Sequence, residues 1–418
     1  MATITSSTLS SSGVNELLKR LYSPAEIDDC LNLASPALGK CAKKGSATLG
    51  GSGLYFPVRV RSAEGHGYVL EDGDFPTPQQ TSVLQATTTP KVQLGVVQMT
   101  GLSRAVSSGD AMAFATAFDE NVQETLMAMG AYDEGVMFRD GTGILATVTT
   151  DPGASASGWV FDDVGYLREG MSVTFNDVSA GTDYFGPYVI ASIDWPTKTV
   201  AFDSAVSATV AVGDTLYLTG TQGPNGTAVA SKEPDGIESA IGSVAGSYLG
   251  ISRANNGNWR GNLITVSAAL DEAFLLQGRT RIVQETGIQI QSIGGRFNLL
   301  CHQQQADQLF RLALPRVRFA GTDMIDLGNS DDVKFGNIGI VTSHQCPPAT
   351  AYLGDWSYFQ RLYPPGGELH IDTELNGSAL KWVSNKDVAA VLLKSYKNMV
   401  CKKLPAFVRF GSITTPTR

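Results

Sequence analysis

The chain has 418 residues, of which 43% are hydrophobic. At about 150 residues per domain this is material for two or three domains with sizeable cores, and it excludes a disordered or low-complexity chain. A formal net charge of −9 argues against a general nucleic-acid binder, and no uninterrupted apolar run approaches the ~20 residues of a membrane helix.

In chain order, residues 1–13 are rich in Ser and Thr and read as a mobile arm. They lack the basic-then-apolar order of a secretory signal, so a soluble product made in the cytoplasm is expected. Val14, Leu17, Leu18 and Leu21 fall at helical spacing, and residues 47–53 form a Gly-rich joint. Residues 54–60 (LYFPVRV) read as a strand interrupted by Pro57, residues 63–78 as a polar Gly/Asp-rich tip, and residues 83–100 as a second strand. Two strands around such a tip describe a long hairpin, and a two-stranded ribbon is marginal unless it lies on another surface.

Residues 107–110 (SSGD) supply helix-capping side chains. The run that follows, 111–129, is the strongest helix pattern, with Phe114, Phe118, Val122, Leu126 and Met129 on one apolar stripe suited to core packing. The pattern continues less clearly to Phe138 and stops at RDGTG, residues 139–143. Residues 147–224 lose helical periodicity. Short strands at 172–175, 188–193, 199–202 and 215–218, separated by turn signals, describe a small barrel or sandwich. Its flexible flanks are those of a module inserted into another domain. Further on, helices are read at 270–277 and 304–314, strands at 336–342, 351–353 and 406–413, and either state at 388–399. The class is α+β with a β insertion.

Charge is unevenly placed. Residues 110–240 hold 19 acidic and four basic residues, whereas residues 381–418 hold eight basic residues and one acid, Asp387. Solvated faces of opposite sign and complementarity between copies of the chain both fit this pattern.

The motifs of common chemistry are missing from the sequence. Cys30, Cys41, Cys301, Cys346 and Cys401 are widely spaced and read as free thiols of a reducing compartment. His66, His302, His344 and His370 lack metal-ligand spacing, there is no CxxC, HExxH or GxSxG, and the glycines at 50–53 precede no Gly-Lys-Ser/Thr. Glu71, Asp72 and Asp74 cluster in the hairpin tip without the spacing of a calcium loop. No catalytic, cofactor-binding or metal-binding residue is assigned. An enzyme with a β accessory module remains the alternative of another class, since catalytic triads need not be local in sequence.

The order of parts resembles the major capsid proteins of tailed bacteriophages, with the Hong Kong 97-type fold. The resemblance is carried by the arm and strand–loop–strand of residues 54–100, similar to the family's E-loop, and by the long helix ending in RDGTGILA (139–146), similar to its spine helix and following turn. It is carried further by the β module with LREGMSV (167–173) and VAVGDTLYLTG (210–220), and by YLGDWSYF (352–359) and LKSYKNMVCKKLPAFVRFGSI (393–413) in the tail half. Bacterial encapsulins share this fold and form a second alternative.

The resemblance implies an N-terminal arm (1–50), an E-loop (51–90), a peripheral domain with the spine helix (91–147), an inserted β domain (148–228), an axial domain (229–385) and a C-terminal segment returning to the peripheral domain (386–418). It implies hexamers and pentamers of identical copies closing an icosahedral shell around double-stranded DNA, bound without sequence specificity, with a portal and no membrane. The virion is then the protein's location, and assembly takes place in the host cytoplasm. Cofactors are not expected. Candidate inter-subunit residues are Phe56, Arg59, Arg61, Tyr68, Asp72 and Phe75. No lysine lies between Lys44 and Lys91, so a lysine cross-link from the loop is not expected. The short segment before the loop points to a separate scaffolding protein.

Overall fold

The computed structural model describes residues 36–44, 49–50, 53–100, 111–177, 184–221, 232–288, 296–313, 338–372, 380–382 and 388–414. The expected arm and the helical spacing at 14–21 lie outside them. Among the described residues, no helix is long and apolar enough to cross a membrane.

The hairpin consists of β1 (Gly53–Arg61) and β2 (Ser82–Thr88), antiparallel from Leu54↔Thr88 to Arg61↔Ser82 with a bulge between Arg59 and Arg61. The sequence reading runs one strand through 83–100, but the structure ends β2 at Thr88 and starts β3 (Lys91–Thr100) after Pro90. Proline has no N–H for a ladder and restricts the residue before it, which allows the chain to leave one sheet and enter another. Strand β3 pairs with residues 388–397 of the tail instead, from Lys91↔Lys397 to Thr100↔Val388.

The long helix α1 (Ala111–Phe138) crosses this second sheet. Val122, Leu126 and Met129 are buried with Val97 and Leu393. Gly95 permits the approach: a Cβ there would lie 2.6 Å from the Met129 Sδ. The side chains of Phe114 and Phe118 are outside the described residues. The helix ends into a turn in which Gly141 and Gly143 have φ of 82° and 86°, values that favour glycine.

The next segment is a closed six-stranded barrel. Its strands are β4 (Ile144–Thr150), β5 (Trp159–Phe161), β6 (Ser172–Asn176), β7 (Tyr184–Asp194), β8 (Thr199–Phe202) and β9 (Thr215–Leu218), in the order β8-β5-β4-β9-β6-β7. Phe175 sits at the centre, with ring centroids 5.5 Å from Trp159, 5.5 Å from Phe202 and 5.9 Å from Tyr188. The sequence reading treats residues 141–158 as a flexible flank, yet the first barrel strand, Ile144–Thr150, lies inside it.

The tail half builds a mixed five-stranded sheet from β10 (Asn262–Thr265), β11 (Phe297–Cys301), β12 (Gly339–Thr342), β13 (Ala351–Asp355) and a final strand (Phe407–Gly411), in the order β10–final strand–β13–β11–β12. Helices α2 (Glu272–Thr286) and α3 (Gln303–Ala313) add Leu275, Ile282, Ala306 and Leu309 to its core. Helix α2 runs nine residues past the 270–277 span read from sequence, because its buried face uses Gly278 where an apolar side chain would have marked the pattern. Two strands complete the chain, β14 (Val388–Cys401) and β15 (Phe407–Gly411). The sequence reading returns the whole 386–418 segment to the peripheral domain (91–147). In the structure β14 pairs with β3, but β15 pairs with β10 and β13 in the tail-half sheet.

Buried polar contacts tie these parts together. Lys397 of β14 pairs with Asp133 of α1 and donates to the Gln93 Oε1 of β3 at 2.6 Å. Burial pulls the Lys397 ammonium down while Asp133 opposes it. Arg139, just past α1, pairs with Glu233 at 3.3 Å and lies over the rings of Tyr132 and, from the barrel, Tyr166. Tyr132 also donates to Glu233, and burial pushes the Glu233 carboxyl up. This knot joins the barrel to the end of the helix and to the bend at residues 232–233.

Candidate subunit-contact surface

The hairpin has two parts with different surroundings. At its root, strand alternation turns Leu54, Val58, Val60 and Ala86 inward, and all four are buried in the chain's own core. The Asn258 Nδ2 donates to the Val60 carbonyl at 2.9 Å and the Thr87 N–H donates to the Leu249 carbonyl at 3.1 Å. The sequence reading leaves the ribbon unsupported. Its strands are in fact anchored on their own subunit, because inward residues from both arms find the tail-half core.

The tip is different. From Arg61 to Phe75 every residue is exposed. Tyr68 is 109% exposed, Leu70 80% and Phe75 95%. A Leu70–Gly73 turn, with the Gly73 N–H on the Leu70 carbonyl at 3.0 Å, closes the end. Residues 62–81 contain Glu64, Glu71, Asp72 and Asp74 but no Lys or Arg. An exposed cluster of large apolar residues with a carboxylate rim is the pattern of a surface that binds another protein.

The candidate contact residues therefore divide. Tyr68, Asp72 and Phe75 project from the tip. Arg59 and Arg61 share the solvent face of β1, two positions apart as strand periodicity requires. Phe56 is half-buried at the root, under the Lys402 ammonium at 5.3 Å from the ring centroid. Phe56 is thus a root contact and does not join the tip residues. Phe56, Arg59, Tyr358, Lys402 and Lys403 border a groove of about 520 Å³ beside the root.

Sequence reasoning missed a second surface. Strand β3 presents Val92, Leu94 and Val96 outward at 53%, 55% and 47% exposure, on the sheet face opposite Gly95 and Val97. Residues 91–95 also line a groove of about 730 Å³, bounded on one side by Ala128, Met129 and Tyr132 of α1 and on the other by Met171, Leu218 and Thr219 of the barrel. Five consecutive residues alternate faces, so the groove meets the edge of β3. The alternating pattern of KVQLGVV was visible in sequence; which of its faces lacks cover was not.

No family model matches this sequence, and no curated protein does. Among solved structures, the chain is similar to a chain of the cyanophage A-1(L) capsid asymmetric unit, with a TM-score of 0.55 at 12% identity, covering 91% of this chain and 93% of that one. The chain has the Hong Kong 97-type capsid fold. Lower-scoring similarities are to the capsid of a native GTA particle (TM-score 0.48, 8% identity, 99% and 94% covered) and to the holo-SrpI encapsulin complex from Synechococcus elongatus PCC 7942 (TM-score 0.43, 11% identity, 91% and 88% covered). In terms of this capsid fold, the anchored hairpin with its bare tip is the E-loop, and the barrel is inserted directly after α1.

Proposed function

We propose that this protein is the major head protein of a tailed bacteriophage, a structural and non-catalytic subunit whose copies assemble into an icosahedral shell enclosing double-stranded DNA. One observation carries the reading: within a capsid fold, a hairpin fixed at its root holds a bare apolar tip away from the subunit's own core. Leaving Tyr68, Leu70 and Phe75 in water forfeits roughly 1.5–3 kcal/mol per large apolar side chain, which a neighbouring copy recovers by covering them.

Contacts of this head-to-tail kind close into rings, and ring closure raises the effective concentration of each remaining contact. Permanent interfaces of this class bury over ~2,000 Å² in total. Hexamers and pentamers of the chain, a separate scaffolding protein and a portal complete the assembly, which forms in the host cytoplasm and ends in the virion. Domain divisions follow the E-loop (51–90), the peripheral domain (91–143), the inserted barrel from Ile144 and the axial domain (229–385). A net charge of −9 suits a container that must release its DNA, because a strongly basic wall would hold the genome.

Negative-stain microscopy and size-exclusion chromatography of the purified protein, alone and co-expressed with candidate scaffolding proteins, test this. Shells, capsomers or curved sheets are expected. A defined small oligomer under every condition contradicts the proposal.

A further inference from the structure

The bare tip requires an acceptor, and the 730 Å³ groove beside β3 matches it in size, apolarity and charge. Its volume lies in the ~300–1,000 Å³ range that encloses compact ligands. Leu94, Met129, Met171 and Leu218 supply apolar lining, and Lys91, Arg168 and Lys232 supply cations. Of the lining carboxylates, Asp133 is held by Lys397 and Glu233 by Arg139, Glu169 shares the groove with the three cations, and within the chain Lys91 also faces Asp235, Arg168 faces Glu134 and Lys232 donates to the Gly220 carbonyl at 2.9 Å. The tip carries the complement: Tyr68, Leu70 and Phe75 among four carboxylates and no Lys or Arg.

We propose that the inserted barrel is one wall of a socket for the hairpin tip of a second copy of this chain. Tyr68, Leu70 and Phe75 enter between β3 and the barrel, while Glu71, Asp72 and Asp74 meet Lys91, Arg168 and Lys232. The proposal rests on the capsid reading and adds to it a task for the insertion. On the outer face of β3, Val96 lies outside the groove and offers contact from one side only. The groove has walls on two sides, from α1 and from the barrel, and a side chain seated in it would be screened from water, the setting in which aromatic anchors contribute most. Arg139 becomes a positioning residue, since its stack on Tyr166 and its pair with Glu233 hold the barrel wall in place.

Disulfide trapping in the full chain tests the socket. Phe75→Cys is combined with Thr219→Cys on the barrel wall or, as the comparison, with Val96→Cys on the open face. The native cysteines among the described residues are all buried. In oxidised assemblies the 75/219 pair is expected to give a ladder of cross-linked oligomers on a non-reducing gel. Separately, Lys91→Glu with Lys232→Glu is expected to raise the concentration needed for assembly by about tenfold or more, and Asp72→Lys with Asp74→Lys to restore it. Circular dichroism of the unassembled variants checks that they fold. Assemblies that form normally with cross-links at 75/96 and none at 75/219, or without charge-swap rescue, overturn the socket and leave the capsid reading intact. If the unsubstituted chain forms no higher-order assembly, the capsid reading falls and the socket falls with it.

Discussion

The barrel and the hairpin are both β-rich, glycine-containing and poor in basic residues, and they end in opposite states. In the barrel, six strands close on themselves, and Trp159, Phe161, Tyr188 and Phe202 surround Phe175. Closure leaves no strand edge and buries Trp159, Phe161, Phe175 and Phe202, while Trp195, at the β7–β8 turn, is 53% exposed. The hairpin has two long arms and no closure. Its inward residues use another region's core, and its tip aromatics find no partner among the described residues. The barrel is thus self-sufficient, while the hairpin is complete at its root and unfinished at its tip. The contrast separates residues that hold the subunit together from residues that hold subunits to one another.

Substitutions that act on only one side of this contrast test it most sharply. Phe175→Ala removes the ring on which the barrel core converges and is expected to cost about 3–5 kcal/mol, read by chemical denaturation of the unassembled subunit. Arg139→Ala removes the cation paired with the buried Glu233 carboxyl, and about 3 kcal/mol is expected from the same measurement. A variant that keeps full stability would show that the barrel is not held by this knot. Tyr68→Ala with Phe75→Ala is expected to change subunit stability by no more than about 0.5 kcal/mol, because neither side chain packs on its own chain. The same pair should abolish or strongly impair assembly in light scattering; a destabilised subunit instead would place the tip on the barrel's side of the comparison. Arg59→Glu with Arg61→Glu, on the exposed face of β1, should leave the subunit folded and weaken assembly, more so at low salt. Normal assembly from that variant would remove both arginines from the contact.

Much of the fold was legible because its periodicities are strong. The stripe of Val122, Leu126 and Met129 marks α1, and the barrel strands Thr199–Phe202 and Thr215–Leu218 fall where alternation and turn residues place them. What escaped depends on partners distant in sequence. The break at Pro90 is visible as a residue, but the departure of β3 to pair with β14, some 300 residues away, is not. The last strand AFVRFGSI reads as a strand, yet its place between β10 and β13 follows from packing alone. Ile144–Thr150 was hidden because a Gly- and Thr-rich segment resembles a linker until the barrel closes on it. At the contact surface, the tip residues were readable from their lack of local core. The hairpin's anchorage and the groove were not, since Val60, Asn258, Leu94 and Leu218 come from four separate stretches of chain.

Hydrogen exchange of residues 62–81, compared between the free subunit and the assembled particle, tests most directly whether a neighbouring copy completes the tip. In the free subunit the segment, exposed throughout Arg61–Phe75, should exchange near the rate of an unstructured chain. On assembly it should slow by at least about tenfold, while the barrel strands exchange slowly in both states. A tip that exchanges equally fast in closed particles, or a chain that never assembles, would contradict the account.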